Sequence, residues 1–572
     1  IGDPDGALTI YQGAWVMSEK LDEGLDLIIW LKAAQAAISA GKTQDALFFI
    51  KHILDHPSSE RDLKVRSEAL WLLFKIFRKE EPRKSFTFAL DSIKTKEEIL
   101  SKLKKEEDKV DYFSTISQRC EDAALFALQK DEPLFALEFM KRHKSRILSD
   151  IMAEKAEEFK EDVSTFFTFT DFCKLFDKYR KRGDNPIFVE YLAPPRSSIY
   201  IMLLGEFEPD KGITPLTIPL PIDPELNQDL DFLSPANWFN NDPEENFEVR
   251  SPLSTSKCNE LLERLYQRIW APVDKVLVNS KATRAVVIPH RKLHHVPFAA
   301  LRSPDGYIAE CRDYVLSFAP SLRALTHCAK YPSRKIESVF GIDMIPDRDE
   351  GSIPPIGLSW ENMLARFPRY HIVEYDYKSE KDQLVLVNEN GRKLIREFAD
   401  CFPNNTSVDL AVFTGHGCFS PLDPFESALE FGFDENPNQN YKLPLLPQKD
   451  QSLSIYSLNE FFGRGFNAFV LSCNEATSLA KGVDEQIGII RGFLAGGAKN
   501  VVGALWEVYS DVLNENIREL LDDLEEGIPS DQTVKEMQKR LIEKGNQYSH
   551  PAYWAGFQVY GWPFNRQKRS HK

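Results

Sequence analysis

The sequence has no C-x-x-C pair, no apolar run long enough to span a membrane and no excess of positive charge, and each absence removes a class of function. Its eight cysteines, Cys120, Cys173, Cys258, Cys311, Cys328, Cys401, Cys418 and Cys473, are scattered singly. That spacing argues against a disulfide framework or a zinc knuckle, and a reducing cytoplasm is the expected compartment. The most apolar stretches, such as Leu27 to Leu31 and Phe466 to Leu471, fall far short of the roughly 18 residues a transmembrane helix needs. The opening Ile1-Gly2-Asp3-Pro4-Asp5 lacks an initiator Met, a basic start and an apolar core, so it reads as a fragment or trimmed product without a secretory signal. Lys and Arg number 71 against 87 Asp and Glu, a net charge of −16. Such a field repels nucleic acid and anionic membrane, so neither is an expected direct partner.

What is present is a globular composition, with 42% hydrophobic and 28% charged residues over 572 positions, long enough for about three or four domains. Up to about residue 160 the apolar period is helical. Trp30, Ala33, Ala34 and Ala37, a turn at Gly41, then Ala46, Ile50 and Ile53 put small residues where two antiparallel helices cross. That is the spacing of a tetratricopeptide unit. Ala123, Ala124, Ala127, Ala136 and Met140 echo it, and Ala7, Tyr11 and Ala14 begin a truncated copy. Stacks of this kind present a concave surface to a protein or peptide. Ala40-Gly41-Lys42-Thr43 invites comparison with a phosphate loop, but both flanks read as helix and the first glycine of that motif would fall at Ala36. A turn between helices accounts for it.

Near Asn185 the texture changes. Phe188 to Tyr191 and Ser198 to Leu204 read as strands joined at Pro194-Pro195, and residues 213 to 256 as long loops. Beyond 257, strands alternate with amphipathic helices, the pattern of a mostly parallel sheet covered on both faces. The expected strands are Ala285 to Ile288, Ser338 to Ile342, Tyr370 to Tyr375, Val408 to Thr414, Ala468 to Ser472 and Val501 to Leu505. The expected helices are 484 to 495, 511 to 526 and 531 to 544, the last two capped at Ser510 and at Ser530/Asp531 and ended by Gly527 and Gly545.

Two of the most apolar strands run into chemistry. Val408 to Phe413 leads into Thr414-Gly415-His416-Gly417, and Asn467 to Leu471 into Ser472-Cys473-Asn474-Glu475. In an open α/β sheet, reactants bind at the carboxyl ends of the strands. An imidazole there can take the proton of a thiol and later protonate a leaving amine, so His416 and Cys473 are the expected catalytic pair. Glycines on both sides of His416 open the backbone to a substrate, which makes the amides of Gly417 and Cys473 the natural oxyanion donors. Cys418 has no partner set for a metal, and no cofactor is expected.

These residues carry a resemblance. Val287 to Leu301, Phe318 to Ser321, Asp409 to Gly417, Phe469 to Ala476, Asp484 to Val508 and His550 to Phe557 resemble, in that order, blocks of the CHAT domain, a caspase-like peptidase often joined to tetratricopeptide repeats. The resemblance runs over about residues 185 to 563. It implies a His/Cys dyad shared with caspases, separase and gingipains, with His416 and Cys473 in those roles. Their separation of 57 residues is near the spacing of about 50 seen between the caspase pair. The usual Ala between Ser and the nucleophile is missing at Ser472-Cys473, and 419 to 456 holds five prolines, an expected insertion near the site.

The implied organisation is helical repeats over 1–160, a connecting helix over 161–184, a non-catalytic half over 185–330, a catalytic half over 331–563 and a basic tail over 564–572. Among nearby acids, Glu475, Asp484 and Glu485 would either receive a basic P1 side chain or cap a helix. Trp506 would line the core or border the cleft, as would Trp554, and His294 with His295 reads as structural, one of two adjacent strand residues facing inward. The expected function is a regulated cysteine endopeptidase acting on a protein substrate, dormant until a protein or ribonucleoprotein activator engages the repeats. Its setting would be bacterial defence, as with the peptidase of type III CRISPR effectors. The alternative is a non-catalytic scaffold in which the caspase-like half is a binding module.

Overall fold

A computed structural model describes residues 3–18, 25–155, 169–195, 197–208, 212–221, 223–233, 252, 254–343, 364, 366–374, 408–418, 428–430, 452–454, 465–472, 479–481, 485–506 and 510–564. The chain divides into two compact units, residues 1–147 with 481–483, and residues 148–480 with 484–572.

The first unit is built of helices paired into hairpins: α1 (Pro4–Ser18), α2 (Leu25–Ser39), α3 (Thr43–Asp55), α4 (Leu63–Phe77), α5 (Pro82–Ser101), α6 (Glu106–Gln129) and α7 (Pro133–His143). The small residues expected at the α2–α3 crossing are there. Ala33, Ala34, Ala37, Ala46, Ile50 and Ile53 are fully buried, and so are Ala123, Ala124, Ala127, Ala136 and Met140 between α6 and α7. A methyl group at each crossing lets two backbones approach without a cavity. Gly41 sits at φ +74 between α2 and α3, and the Lys42 amide reaches back to the Ala37 carbonyl at 2.8 Å. Left-handed backbone closes the hairpin there, as glycine favours. With helices on both sides, the segment is a turn and not a phosphate loop. The α4–α5 hairpin carries no alanine run, and the sequence reading did not single it out. Ser67 and Ser92 take the place of alanine at this crossing, each hydroxyl bonding the other helix's backbone (3.0 and 2.9 Å).

The second unit is organised by one large sheet. Its strands are β1 (Pro186–Leu192), β2 (Ile199–Gly205), β3 (Thr214–Leu220), β4 (Arg284–Ile288), β5 (Val315–Phe318), β6 (Ser338–Asp343), β7 (Arg369–Glu374), β8 (Leu410–Cys418), β9 (Ala428–Glu430), β10 (Ser452–Ser454), β11 (Phe466–Ser472), β12 (Ala498–Ala504) and β13 (Phe557–Gly561). The order across the sheet is β7-β6-β8-β11-β12-β13-β5-β4-β1-β2-β3, with β9 and β10 continuing from the far end of β8. From β7 to β12 neighbours are parallel, and so are they from β13 to β1. The two parallel groups meet in the antiparallel β12–β13 pair. The mostly parallel sheet is therefore as expected, and β1, β4, β12 and β13 are buried along their whole length, as sheets covered on both faces require.

Several expectations need correction. The stretch 213–256 is not simply loop: it contributes β3, an edge strand with Pro215 and Pro219, and a helix, Pro224–Phe232, capped by the Asp223 carboxylate. Prolines on an edge strand remove no ladder bond that another strand needs, so a proline-rich segment can still pair. The helix expected at 484–495 forms only over Ile489–Ala495, because Glu485–Ile487 is extended. The helices Ser510–Glu526 and Ser530–Glu543 do end at Gly527 and Gly545, both with positive φ. Ser530, however, does not cap the second of these, and Asp531 does so with one oxygen only, Oδ1 accepting the Gln532 amide at 2.9 Å. Ser530 turns its hydroxyl to Asn500 Oδ1 (3.2 Å), and Asp531 pairs with Arg284 at the start of β4. Both side chains pin the helix to the sheet.

Candidate active site

Local pairing decides where His416 lies. The strand expected to end at Thr414 runs on to Cys418, so Gly415, His416 and Gly417 are strand residues rather than loop. The reason is a change of neighbour. β6 pairs with β8 up to Asp343 opposite Thr414, and from His416 onward β9 takes that edge, with Glu430 opposite His416 and Ala428 opposite Cys418. On its other edge β8 lies parallel to β11, in register from Leu410↔Asn467 to Gly415↔Ser472. His416 is the next residue of one strand, and Cys473 follows the other. Cys473, Glu475 and Asp484 lie outside the described residues. So does most of 419–456, of which β9 and β10 are described.

Beneath this end of the sheet the strands are fixed by a ladder of buried amides. At the opposite ends of β8, β11 and β12, Asn467 Nδ2 donates to the Asp409 carbonyl (2.8 Å) and Asn500 Nδ2 to Asn467 Oδ1 (2.6 Å). Asn500 also reaches the Trp562 carbonyl (3.1 Å), and Asp409 Oδ2 accepts from the amides of Glu337 and Ser338 (3.0 Å each) and from the Ser338 hydroxyl (2.8 Å). Asn467 and Asn500 are buried, so an amide left without its partner costs about 1–3 kcal/mol. A one-residue slip of β11 against β8 would break these bonds and leave the buried amides without partners. The sequence signal for the ladder was an asparagine near the start of two mostly apolar strands, and sequence reasoning passed over it.

Next to Asn500, Lys499 is 1% exposed. Burial pushes its ammonium down to about 7, Arg182 and Arg334 push the same way, and Asp409 opposes them. The unfolded chain holds this proton up to the ordinary value of 10.5, so the cost of burying the charge is full below pH 7 and is relieved as pH rises through the window from about 7 to 10.5. Lys499→Met is accordingly expected to raise the melting temperature most below pH 7, with the gain shrinking at alkaline pH. Thermal melts of both proteins across that range check it.

The other residues weighed from the sequence have clear places. Trp506, just after β12, is 2% exposed, its indole N–H donates to the Ala552 carbonyl at 2.7 Å, and its ring lies so close to Gly556 that a Cβ there would sit 3.1 Å from Cε2. Trp554 is fully buried and donates to the Ser549 carbonyl (3.0 Å). Both belong to the core. His294 and His295 lie on a 3₁₀ turn, Arg291–His295, and not on a strand; His294 is buried and His295 half-buried. Nearby His290 accepts the Ala193 amide at 2.9 Å, a structural use. Among the described residues, no group of three or more His, Cys, Asp or Glu could hold a metal, and no helix is long and apolar enough to cross a membrane.

Residues 259–562, more than half of the chain, match the family model described as the CHAT domain. The chain belongs to the CHAT family. The matched segment begins inside the helix Thr255–Leu265 and ends one residue past β13, so it takes in β4 to β13. It is narrower than the range of the sequence resemblance, although β1 to β3 complete the same sheet beside the CHAT segment. No curated protein sequence matches the chain. Two solved structures of the Saccharomyces cerevisiae separase–securin complex are similar to it at 10% and 12% identity, over 98% and 97% of this chain and 52% and 45% of theirs, with TM-scores of 0.46 and 0.44. The chain spans about half the length of the solved chains it matches.

Proposed function

We propose that the chain is a caspase-like cysteine endopeptidase in which Cys473 is the nucleophile and His416 the acid/base. The observation that carries this reading is the register of β8 against β11: parallel neighbours paired to Gly415↔Ser472, with the histidine and the cysteine as the next residues of each. In the proposed reaction His416 takes the thiol proton as Cys473 sulfur attacks the scissile carbonyl, and the amides of Gly417 and Cys473 receive the developing oxyanion. His416 returns the proton to the leaving amine, and water attacks the resulting thioester with His416 again as base. Glu475 and Asp484 are the acids that would receive a basic P1 side chain. The helical unit, on this reading, is a tetratricopeptide-like array over which a protein or ribonucleoprotein activator controls the dyad, in a cytoplasmic, bacterial defence setting.

The test is covalent labelling of the thiol by a peptide chloromethyl ketone, read by intact mass. Labelling at Cys473 that His416→Ala abolishes is expected. Equal labelling in both proteins, with no proteolysis by either, would favour the alternative of a scaffold whose caspase-like half only binds.

A further inference from the structure

The helical unit holds a cationic cluster whose donors are incompletely met. Lys96 on α5 holds its Nζ 3.6 Å from Glu68 Oε1 and 3.4 Å from Thr115 Oγ1, both beyond the about 2.7–3.2 Å of an ordinary N–H···O bond. Its side chain is only 12% exposed. Its ammonium lies 5.5 Å from the centre of the Tyr112 ring, and the buried Tyr112 hydroxyl meets no hydrogen-bond partner among the described residues. Arg119 on α6 pairs with the same Glu68 oxygen, while its Nη1 is committed to Ser67 and Ser92 and its plane lies 5.0 Å from the Trp71 ring. Two cations thus share one carboxylate oxygen, with Lys64 exposed one turn before Glu68 on α4. Thr115 is exposed and Glu68 partly so, which leaves the cluster open to solvent on that side. The result is a net positive site in a chain of net charge −16.

We propose that this site between α4, α5 and α6 receives a side-chain carboxylate from an acidic peptide segment of a protein partner. A carboxylate offers acceptors only, so it supplies the Lys96 ammonium with the close acceptor that Glu68 and Thr115 do not. Lys96 and Arg119 against Glu68 leave one positive charge at the contact, which a single carboxylate matches, whereas a dianionic phosphate would place excess negative charge against Glu68; Lys64 is exposed and its charge is solvated. Buried donors without acceptors are costly, and a helical-hairpin stack is suited to an extended peptide. The inference deepens the reading of the helical unit as an activator-binding surface. It is measured by binding and not by cleavage, so its failure would leave the dyad standing and the reverse.

The experiment is fluorescence anisotropy on the full chain with a labelled, acetylated and amidated glutamate-rich peptide, its glutamine counterpart as control, and inorganic phosphate as competitor. The glutamate peptide is expected to bind and the glutamine one not, with phosphate a poor competitor. Lys96→Gln is expected to weaken binding about tenfold, equivalent to about 1.4 kcal/mol, and Glu68→Gln to tighten it several-fold by removing the internal competitor. A gain of binding in Glu68→Gln cannot come from misfolding. Equal binding of both peptides, no binding even to Glu68→Gln, indifference to Lys96→Gln, or displacement by equimolar phosphate would each overturn the proposal.

Discussion

Cys473→Ala is expected to remove peptide-bond cleavage altogether, and His416→Ala to lower turnover by about 10⁴-fold or more, with little change in the melting temperature of either protein. Alanine has no group that can form an acyl-enzyme, so the covalent route ends with the sulfur. Without the imidazole, a thiol of ordinary pKa is only a few per cent ionised at neutral pH, and the amine must leave without a proton. The two losses are not additive, since nucleophile and base act as one unit, and the double variant is expected to match Cys473→Ala. Cleavage of an activated substrate mixture, followed by mass spectrometry, checks this. Undiminished cleavage by Cys473→Ala would remove the dyad from the mechanism.

Asp531→Ala is expected to destabilise the protein by about 3–5 kcal/mol. Asp531 is 1% exposed and Arg284 3% exposed, and the two pair directly between the helix Ser530–Glu543 and β4. A second carboxylate, Asp184, lies farther from the guanidinium at 3.6 Å, and the Phe564 ring lies 4.8 Å from it. Removing the acid leaves a buried guanidinium with only the more distant Asp184 as counter-charge, which costs more than the net worth of the pair. The companion variant Arg284→Met with Asp531→Ala removes both charges and is expected to recover part of the loss. Urea midpoints of the two variants decide it: a double variant as weak as the single would mean that the pair is not the cause.

Much of the secondary structure was legible because its signals are local. Ala33, Ala37 and Ala46 announce a tight helix crossing through size alone, and Gly527 and Gly545 end their helices because left-handed backbone favours glycine. Legibility failed where a distant partner decided the outcome. Ser530 has the chemistry of a cap, yet Asn500 claims it from another part of the chain, and Arg284 takes one oxygen of Asp531 while the other meets the Gln532 amide. Thr414 to Gly417 has the composition of a loop, yet β9 extends the strand through it. The serines of the α4–α5 crossing were missed because a hydroxyl is read as polar until its acceptor across the helix is known.

Taken alone, the amino-acid order determined that helices precede an α/β half, which apolar runs become strands, and that a histidine and a cysteine lie in or just after two of them. Periodicity and residue size act over a few neighbours, so these features need no tertiary context. Only the folded chain decided that β13, from near the end of the sequence, lies between β12 and β5 and joins two parallel groups running in opposite directions. It also decided that buried asparagines at Asn467 and Asn500 hold the register that carries β8 and β11 forward together. Strand order and register are set by pairings between residues far apart in sequence, and the free energy of each pairing exists only once both partners have left water.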